Sequence, residues 1–223
     1  MRRFVDLNHV VRDGMVTYPG LPTPTVEVHL SRDRAEQVYG QDVTFEIGVV
    51  TLCTNTGTYL DTPYHRFADG HDLAGLALER VVDVPAICLD RRGRRAIEVT
   101  SDDLFGADGH AVLVRTGHDR HFGTDAYAAD APFLTSASVD ALVAAGVAVV
   151  GIDSLNIDDV DDLARPVHTG LLAAGIPIVE HLTGLGQLPP SGFTFTAVPP
   201  KIAGAGTFTV RAFATLADLA ASD

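Results

Sequence analysis

Two apolar runs set the frame of this chain. Ala111-Val112-Leu113-Val114-Arg115-Thr116-Gly117 and Val147-Ala148-Val149-Val150-Gly151-Ile152-Asp153 are short, almost unbroken and closed by Gly or Asp, the pattern of strands buried on both faces. Each delivers the chain into a polar loop. Between them, Val139, Leu142 and Val143 fall at helical spacing within residues 135–145. Thr135 or Ser136 as N-cap and Gly146 as terminator complete the signature of a helix packed before the second strand. A shorter helix over residues 168–174, stopped by Gly175, leads into the strand Ile176-Pro177-Ile178-Val179-Glu180. Upstream, the β-branched and aromatic residues between Val43 and Cys53 predict a further strand that ends at Asn55. Residues 12–24, with Asp13-Gly14 and Tyr18-Pro19-Gly20-Leu21-Pro22-Thr23-Pro24, read as an irregular loop bearing an aromatic, and residues 184–206 as mostly loop with brief strands. No repeat or low-complexity linker interrupts the pattern. The expectation is one mixed-sheet α/β domain over residues 1–223.

Composition narrows the function. At 223 residues and 46% hydrophobic content the chain sustains one substantial core. A net charge of −13 repels both a nucleic-acid backbone and an anionic membrane surface. The largest basic cluster, Arg91-Arg92-Gly93-Arg94-Arg95, follows a predicted strand and reads as a solvated turn. Cys53 and Cys88, each in an apolar stretch, read as buried free thiols rather than a disulfide framework, which fits a reducing cytoplasm. The first residues, Met1-Arg2-Arg3-Phe4-Val5-Asp6, hold no apolar signal-peptide core, and no window is long and apolar enough to span a bilayer. A small-molecule partner remains.

The chemistry-bearing residues concentrate in Asn55-Thr56-Gly57-Thr58-Tyr59-Leu60-Asp61-Thr62-Pro63-Tyr64-His65. Gly57 permits a backbone turn close to a ligand, and Pro63 suits the first position of a helical turn capped by Thr62. Such a turn brings Asp61 and His65 near enough to share a metal, a water or a substrate proton, although a capping Asp beside a satisfied imidazole explains the spacing equally well. His168 and Glu180 are joined by a short helix and a returning strand, so a hairpin-like reversal brings them together. Glu180 ends an otherwise apolar run and requires a partner, either a divalent cation or a basic counter-ion. Asp61, His168 and Glu180 form an N/O ligand set suited to zinc or manganese. His71 and His181 adjoin these residues and are candidates for a supporting or replacement ligand. His118 and His121 read as a surface loop, and His9, His29 and His110 carry no signal.

These residues resemble the cyclase family of metal-dependent hydrolases, which includes bacterial kynurenine formamidases and isatin hydrolases and has the hallmark His-x-Gly-Thr-His-x-Asp-x-Pro-x-His. The likeness runs nearly end to end, through Asp6-Leu7, Tyr18-Pro19-Gly20, the hallmark segment, Arg115-Thr116-Gly117, Pro132-Phe133-Leu134, Gly151-Ile152-Asp153, His168 with Glu180, and Arg211-Ala212-Phe213. It implies a barrel-like mixed β-sheet with flanking helices, and a homodimer or homotetramer whose site a neighbouring chain could complete. In the family, two hallmark histidines and the aspartate hold one metal, while that aspartate with a later histidine and glutamate holds a second. Asp61, His168 and Glu180 match the second site, and His65 matches the residue that shuttles protons. The two histidine positions of the first site are Asn55 and Tyr59 here. One divalent ion, zinc or manganese, is therefore expected, and Tyr18 falls where an aromatic contacts substrate.

Three functions fit this variant motif. In the leading one, the metal polarises a carbonyl or lowers the pKa of a bound water, His65 acts as general base and then acid, and Tyr59 and Asn55 assist the oxyanion. The substrate is then a small aromatic amide, formamide, cyclic amide or lactone. The others are a metal-free binding module and a biosynthetic cyclase or dehydratase.

Overall fold

The two apolar runs form the middle of a nine-stranded sheet. The computed structural model describes residues 2–216, so the ends of the predicted domain, Met1 and residues 217–223, lie outside the described residues. Thirteen strands are present: β1 (Arg3–Asp6), β2 (Thr25–Leu30), β3 (Ile47–Thr51), β4 (Tyr59–Asp61), β5 (Val84–Asp90), β6 (Ala96–Ile97), β7 (Ala111–Arg115), β8 (Phe133–Leu134), β9 (Val149–Ile152), β10 (Ile178–Glu180), β11 (Phe193–Val198), β12 (Thr207–Thr209) and β13 (Arg211–Leu216). Among the described residues three α-helices accompany them: α1 (Arg32–Tyr39), α2 (Ala137–Ala144) and α3 (Pro166–Ala173). The main sheet runs β1-β13-β11-β5-β7-β9-β10-β4-β12. Its four central strands, β5, β7, β9 and β10, are parallel, and the outer pairings are antiparallel. The curled mixed sheet is the barrel-like α/β fold expected.

Both faces of the central strands are buried, as their unbroken apolar runs require. Val112, Val114, Val150, Ile152 and Ile178 pack under α2 and α3 with Leu142, Leu171 and Leu172. The alternate residues, among them Leu60, Leu113 and Val179, join Phe195, Ala212 and Ala214 in a second cluster that the curled sheet itself encloses. Asp153, just past β9, accepts hydrogen bonds from the backbone N–H groups of Thr116 and Gly117 and so ties the loops after β7 and β9 together. Arg211 pairs with Asp6 across β13 and β1.

Several local expectations need correction. The helix over residues 135–145 is the shorter α2, and the Ser136 hydroxyl makes no capping hydrogen bond. Gly146 does end it, in a left-handed conformation that glycine adopts without strain (φ 68°). α3 begins at Pro166, two residues before its predicted start, because proline is preorganised for the first helical position. Residues 184–206 are mostly loop, as expected, and hold the six-residue β11 with its alternating Phe193, Phe195 and Ala197. The strand predicted over residues 43–53 is confined to β3, which pairs with β2 and stands apart from the main sheet. Cys53 and Cys88 are free but only half-buried, and burial leads the causes that push the Cys88 thiol up to about 12. Among the described residues no helix is long and apolar enough to cross a membrane.

Candidate active site

Strand register assembles the centre. Tyr59 stands directly opposite Glu180 on β10 and Thr209 on β12, and Asp61 opposite Ile178 and Thr207. Because side chains alternate along a strand, Tyr59, Asp61, Glu180 and Thr207 share one face. Cross-strand pairing then becomes side-chain chemistry: the Tyr59 hydroxyl donates to Glu180 Oε2 at 2.5 Å, and the Thr207 hydroxyl donates to Asp61 Oδ1. The intervening Leu60 and Val179 point into the enclosed core. The centre is thus anchored by the same alternation that buries the sheet.

Helix α3 lowers His168 onto this face. Its Nε2 lies 3.7 Å from Asp61 Oδ2 and 3.7 Å from Glu180 Oε1, the proximity predicted from the helix-and-returning-strand spacing. The opposite ring nitrogen, Nδ1, bonds Asp158 Oδ2 at 2.7 Å. Asp158 also accepts from the backbone N–H groups of Val167 and His168, so one buried carboxylate caps α3 and fixes the imidazole. Ile157 N–H donates to Glu180 Oε1. Sequence reading missed Asp158, which sits in the run Asp158-Asp159-Val160-Asp161-Asp162 and has no local pattern distinguishing it from a solvated loop.

His65 follows from the turn after β4. Pro63–His65 form one 3-10 turn, but Thr62 supplies no side-chain cap and instead donates to Gly206 O. His65 Nδ1 is 2.8 Å from Thr207 Oγ1 and 3.7 Å from Asp61 Oδ1. Thr207 has one hydroxyl proton and directs it to Asp61, an acceptor-only carboxylate. The Thr207 oxygen therefore accepts from His65 Nδ1–H, which leaves His65 Nε2 with a free lone pair. Asp61–Thr207–His65 is a relay of defined polarity.

The electrostatics are those of a charge-dense buried site. Burial pushes the Asp61 carboxyl up, but His168, His65 and Thr207 outweigh it and hold it below the ordinary carboxylate value. Burial opposes charge on His168 too, yet Glu180, Asp158 and Asp61 raise it to about 10. Glu180 goes up because burial dominates. Among the described residues no Arg or Lys pairs with Glu180, and its basic neighbour is His168 Nε2 at 3.7 Å.

The donor set fits a divalent cation. Asp61 Oδ2 is buried and has no hydrogen-bond partner. Two ligands of a tetrahedral zinc stand about 3.3 Å apart at bond lengths of about 2 Å, close to the 3.7 Å that separates Nε2 of His168 from each carboxylate. Asp61, His65 and His168 can also bring one ligand atom each within 4.8 Å of one another. His65 can serve as the third ligand through its free Nε2; Glu180, which accepts from Tyr59 and Ile157, places Oε1 3.7 Å from His168 Nε2 as the alternative.

Tyr18, Leu21, Asn55, Tyr59, His65, Arg66, Asn156, Arg165, His168 and Glu180 line one cavity of about 390 Å³. All the predicted site residues except the deeper Asp61 are among them. Tyr59, expected to assist an oxyanion, spends its proton on Glu180 instead. The histidines weighed as replacement ligands lie elsewhere: the His71 side chain borders a separate cavity, and the His181 ring packs against Tyr59 and Tyr127 with neither nitrogen partnered. His118 is buried rather than part of a surface loop, with Nε2 2.9 Å from Tyr127 O.

Known proteins extend this picture. Kynurenine formamidase of Bacillus cytotoxicus is 27% identical over 210 residues, covering 94% of this chain and 95% of that protein. Kynurenine formamidase of Salinibacter ruber is 33% identical over 172 residues, covering 74% and 78%. Isatin hydrolase A from Ralstonia solanacearum shares the fold at a TM-score of 0.81, with 24% identity over 97% of this chain and 92% of that one. The family model for Cyclase matches residues 5–159. That match takes in the hallmark segment and the strands β5, β7 and β9, and the chain belongs to the Cyclase family.

Proposed function

We propose that the protein is a metal-dependent hydrolase of a small aromatic amide, formamide or cyclic amide, with one divalent ion, zinc or manganese, held by Asp61, His168 and Glu180. The unpartnered, buried Asp61 Oδ2 beside His168 Nε2 carries this reading, and the kynurenine formamidase and isatin hydrolase relatives support it. The ion, when bound, supplies Lewis acidity at the inner end of the cavity. His65 Nε2, unprotonated while Nδ1–H is given to Thr207, accepts the proton of the attacking water and returns it to the leaving nitrogen. Asp158 holds the His168 ring in place, and Tyr59 fixes Glu180 where the family's first metal would need a histidine. Tyr18 and Leu21 supply the apolar wall against which an aromatic substrate packs, with Asn55 beside them.

A metal-free binding module has one observation in its favour: a protonated His168 would stand between Asp61 and Glu180 and offset one of their two charges. Elemental analysis of protein purified without chelator, together with assays on N-formylkynurenine and isatin, separates the two. About one ion per chain and chelator-sensitive turnover are expected. Two ions would show that Tyr59 and Asn55 do not block the first site, and none, with no chelator effect, would establish the binding module.

The protein is further proposed to self-associate as a dimer or tetramer in the reducing cytoplasm, in keeping with its free cysteines. The support for association is the outer hairpin β2–β3 with α1, where Val26, Val28, Val38, Tyr39, Ile47 and Val50 are all exposed. An isolated two-stranded pairing is marginal in water, and the β2–β3 register sets Val26, Val28 and Val50 on one exposed face, the kind of apolar grouping that marks an interface.

A further inference from the structure

A second cavity opens where the loops after β5 and β7 meet. The two strands are parallel neighbours, so their carboxyl ends deliver those loops to one edge of the sheet, the edge at which open α/β sheets take ligands. With residues 126–132 the loops line a hollow of about 410 Å³, a volume within the range of small-molecule sites. Among the described residues it shares no lining residue with the catalytic cavity.

Its lining reverses the charge of the chain. The protein has 29 acidic against 16 basic residues, yet Arg94, Arg95 and Arg120, with His118 and His121, face a single acid here, Asp130. The basic cluster of residues 91–95 is thus more than a solvated turn: Arg91 and Arg92 are drawn off to Asp103 and Asp90, while Arg94 and Arg95 line the hollow. Arg95 gives both Nη groups to Asp159 and lies 5.1 Å over the Phe133 ring, so it contributes field rather than grip. Arg120 is positioned differently. Its Nε donates to His121 Nε2 at 3.0 Å, which leaves both Nη groups as donors and places the His121 proton on Nδ1. Gly117 makes room for it, being left-handed (φ 72°) with its absent Cβ only 3.9 Å from Arg120 Nη1 and 3.4 Å from Arg92. The buried His118 is fixed at the wall by its Nε2, 2.9 Å from Tyr127 O.

Two guanidinium forks and an imidazole N–H outnumber the two oxygens of one carboxylate. They match a phosphate group, which has three terminal oxygens and close to two charges. A net charge of −13 repels an extended polyanion, so the ligand is small. We infer that this cavity is a second binding site, separate from the catalytic one, that takes the phosphate group of a small molecule between Arg94 and Arg120 with His121 as a further donor.

The test is calorimetric titration of the metal-loaded protein at low salt with adenosine monophosphate, adenosine, inorganic phosphate and malonate, repeated in chelator. Chelator removes any phosphate binding that runs through a metal at the catalytic centre. With or without it, adenosine monophosphate should bind about tenfold or more tighter than adenosine, the scale of one charge-assisted hydrogen bond. R94Q and R120Q should each weaken that binding, and the double variant should hold the nucleotide no better than adenosine. R34Q, at an exposed arginine of α1 outside the cavity, should bind as the wild type does. Inorganic phosphate bound as tightly as the nucleotide would identify the free ion as the ligand, and weaker phosphate binding a phosphate monoester; both uphold the site. Equal binding of the nucleotide and adenosine, binding that chelator abolishes, malonate bound as tightly as phosphate, or an equal loss in R34Q overturns it. None of these titrations requires turnover, so their failure leaves the hydrolase reading untouched. Should the double glutamine variant fail to fold, R94K/R120K keeps the charges but not the forks and should bind the nucleotide more weakly, whereas undiminished binding overturns the site.

Discussion

β9 and β3 are written in nearly the same residues and meet opposite fates. Val149, Val150 and Ile152 of β9 are fully buried, whereas Ile47, Val49 and Val50 of β3 are 45%, 43% and 57% exposed. β9 lies between β7 and β10 with α2 and α3 above it; the partner of β3 is β2. A β-branched run therefore specifies an extended backbone, while neighbours specify burial. The difference also divides labour. The buried strands hold a polar centre in fixed register beneath the cavity, whereas β2 and β3 leave Val26, Val28, Ile47 and Val50 exposed.

Five experiments bear on this contrast, beginning with the largest expected effect. His65→Ala, at the interior site, should lower kcat by about 10²–10⁴-fold, the usual contribution of a general acid–base group; steady-state kinetics that show no loss would remove His65 from the mechanism. Ile152→Ala in β9 should cost about 2–5 kcal/mol in denaturant unfolding. Ile47→Ala in β3 should cost no more than about 0.5 kcal/mol in dilute protein, with a loss that grows with protein concentration if the hairpin docks on a second copy. Equal costs at low concentration would erase the distinction between the two strands.

Val28→Asp with Val50→Asp should shift the sedimentation mass toward the monomer and leave the unfolding midpoint of that monomer little changed, since both positions are exposed within one chain. An unchanged mass would place the interface elsewhere. The last experiment concerns pH. Burial drives the His181 imidazole from 6.5 down to about 3. A base depressed on folding contributes stability that is present above its unfolded value and lost as pH falls through the folded one. Acidification from pH 6.5 toward 3 should therefore destabilise the protein, and His181→Asn should flatten that slope. Asn suits the position because His181 has φ 55°, a conformation asparagine tolerates. An identical slope in the variant would assign the acid sensitivity to other groups.

Much of the site was legible beforehand. Asp61, His65, His168 and Glu180 stood out because a carboxylate in an apolar run and an Asp-x-Pro-x-His turn are unusual placements that need partners. Asp158, Thr207, Asn156 and Arg165 did not, because an aspartate among aspartates, or a threonine in a short strand, looks the same in sequence whether it faces solvent or a metal ligand. Thr207 acquires its role only from standing opposite Asp61 across β4 and β12.

The amino-acid sequence by itself determined the strand and helix periodicities, the lineage, and the residues able to bind a cation or move a proton, since these depend on side-chain type and local spacing. Only the tertiary structure decided that Tyr59 gives its proton to Glu180, that Asp61 keeps one oxygen unpartnered, and that β3 stays exposed while β9 is buried. Those outcomes depend on which strands become neighbours and in what register, and pairing between residues more than a hundred positions apart leaves no trace in any local window.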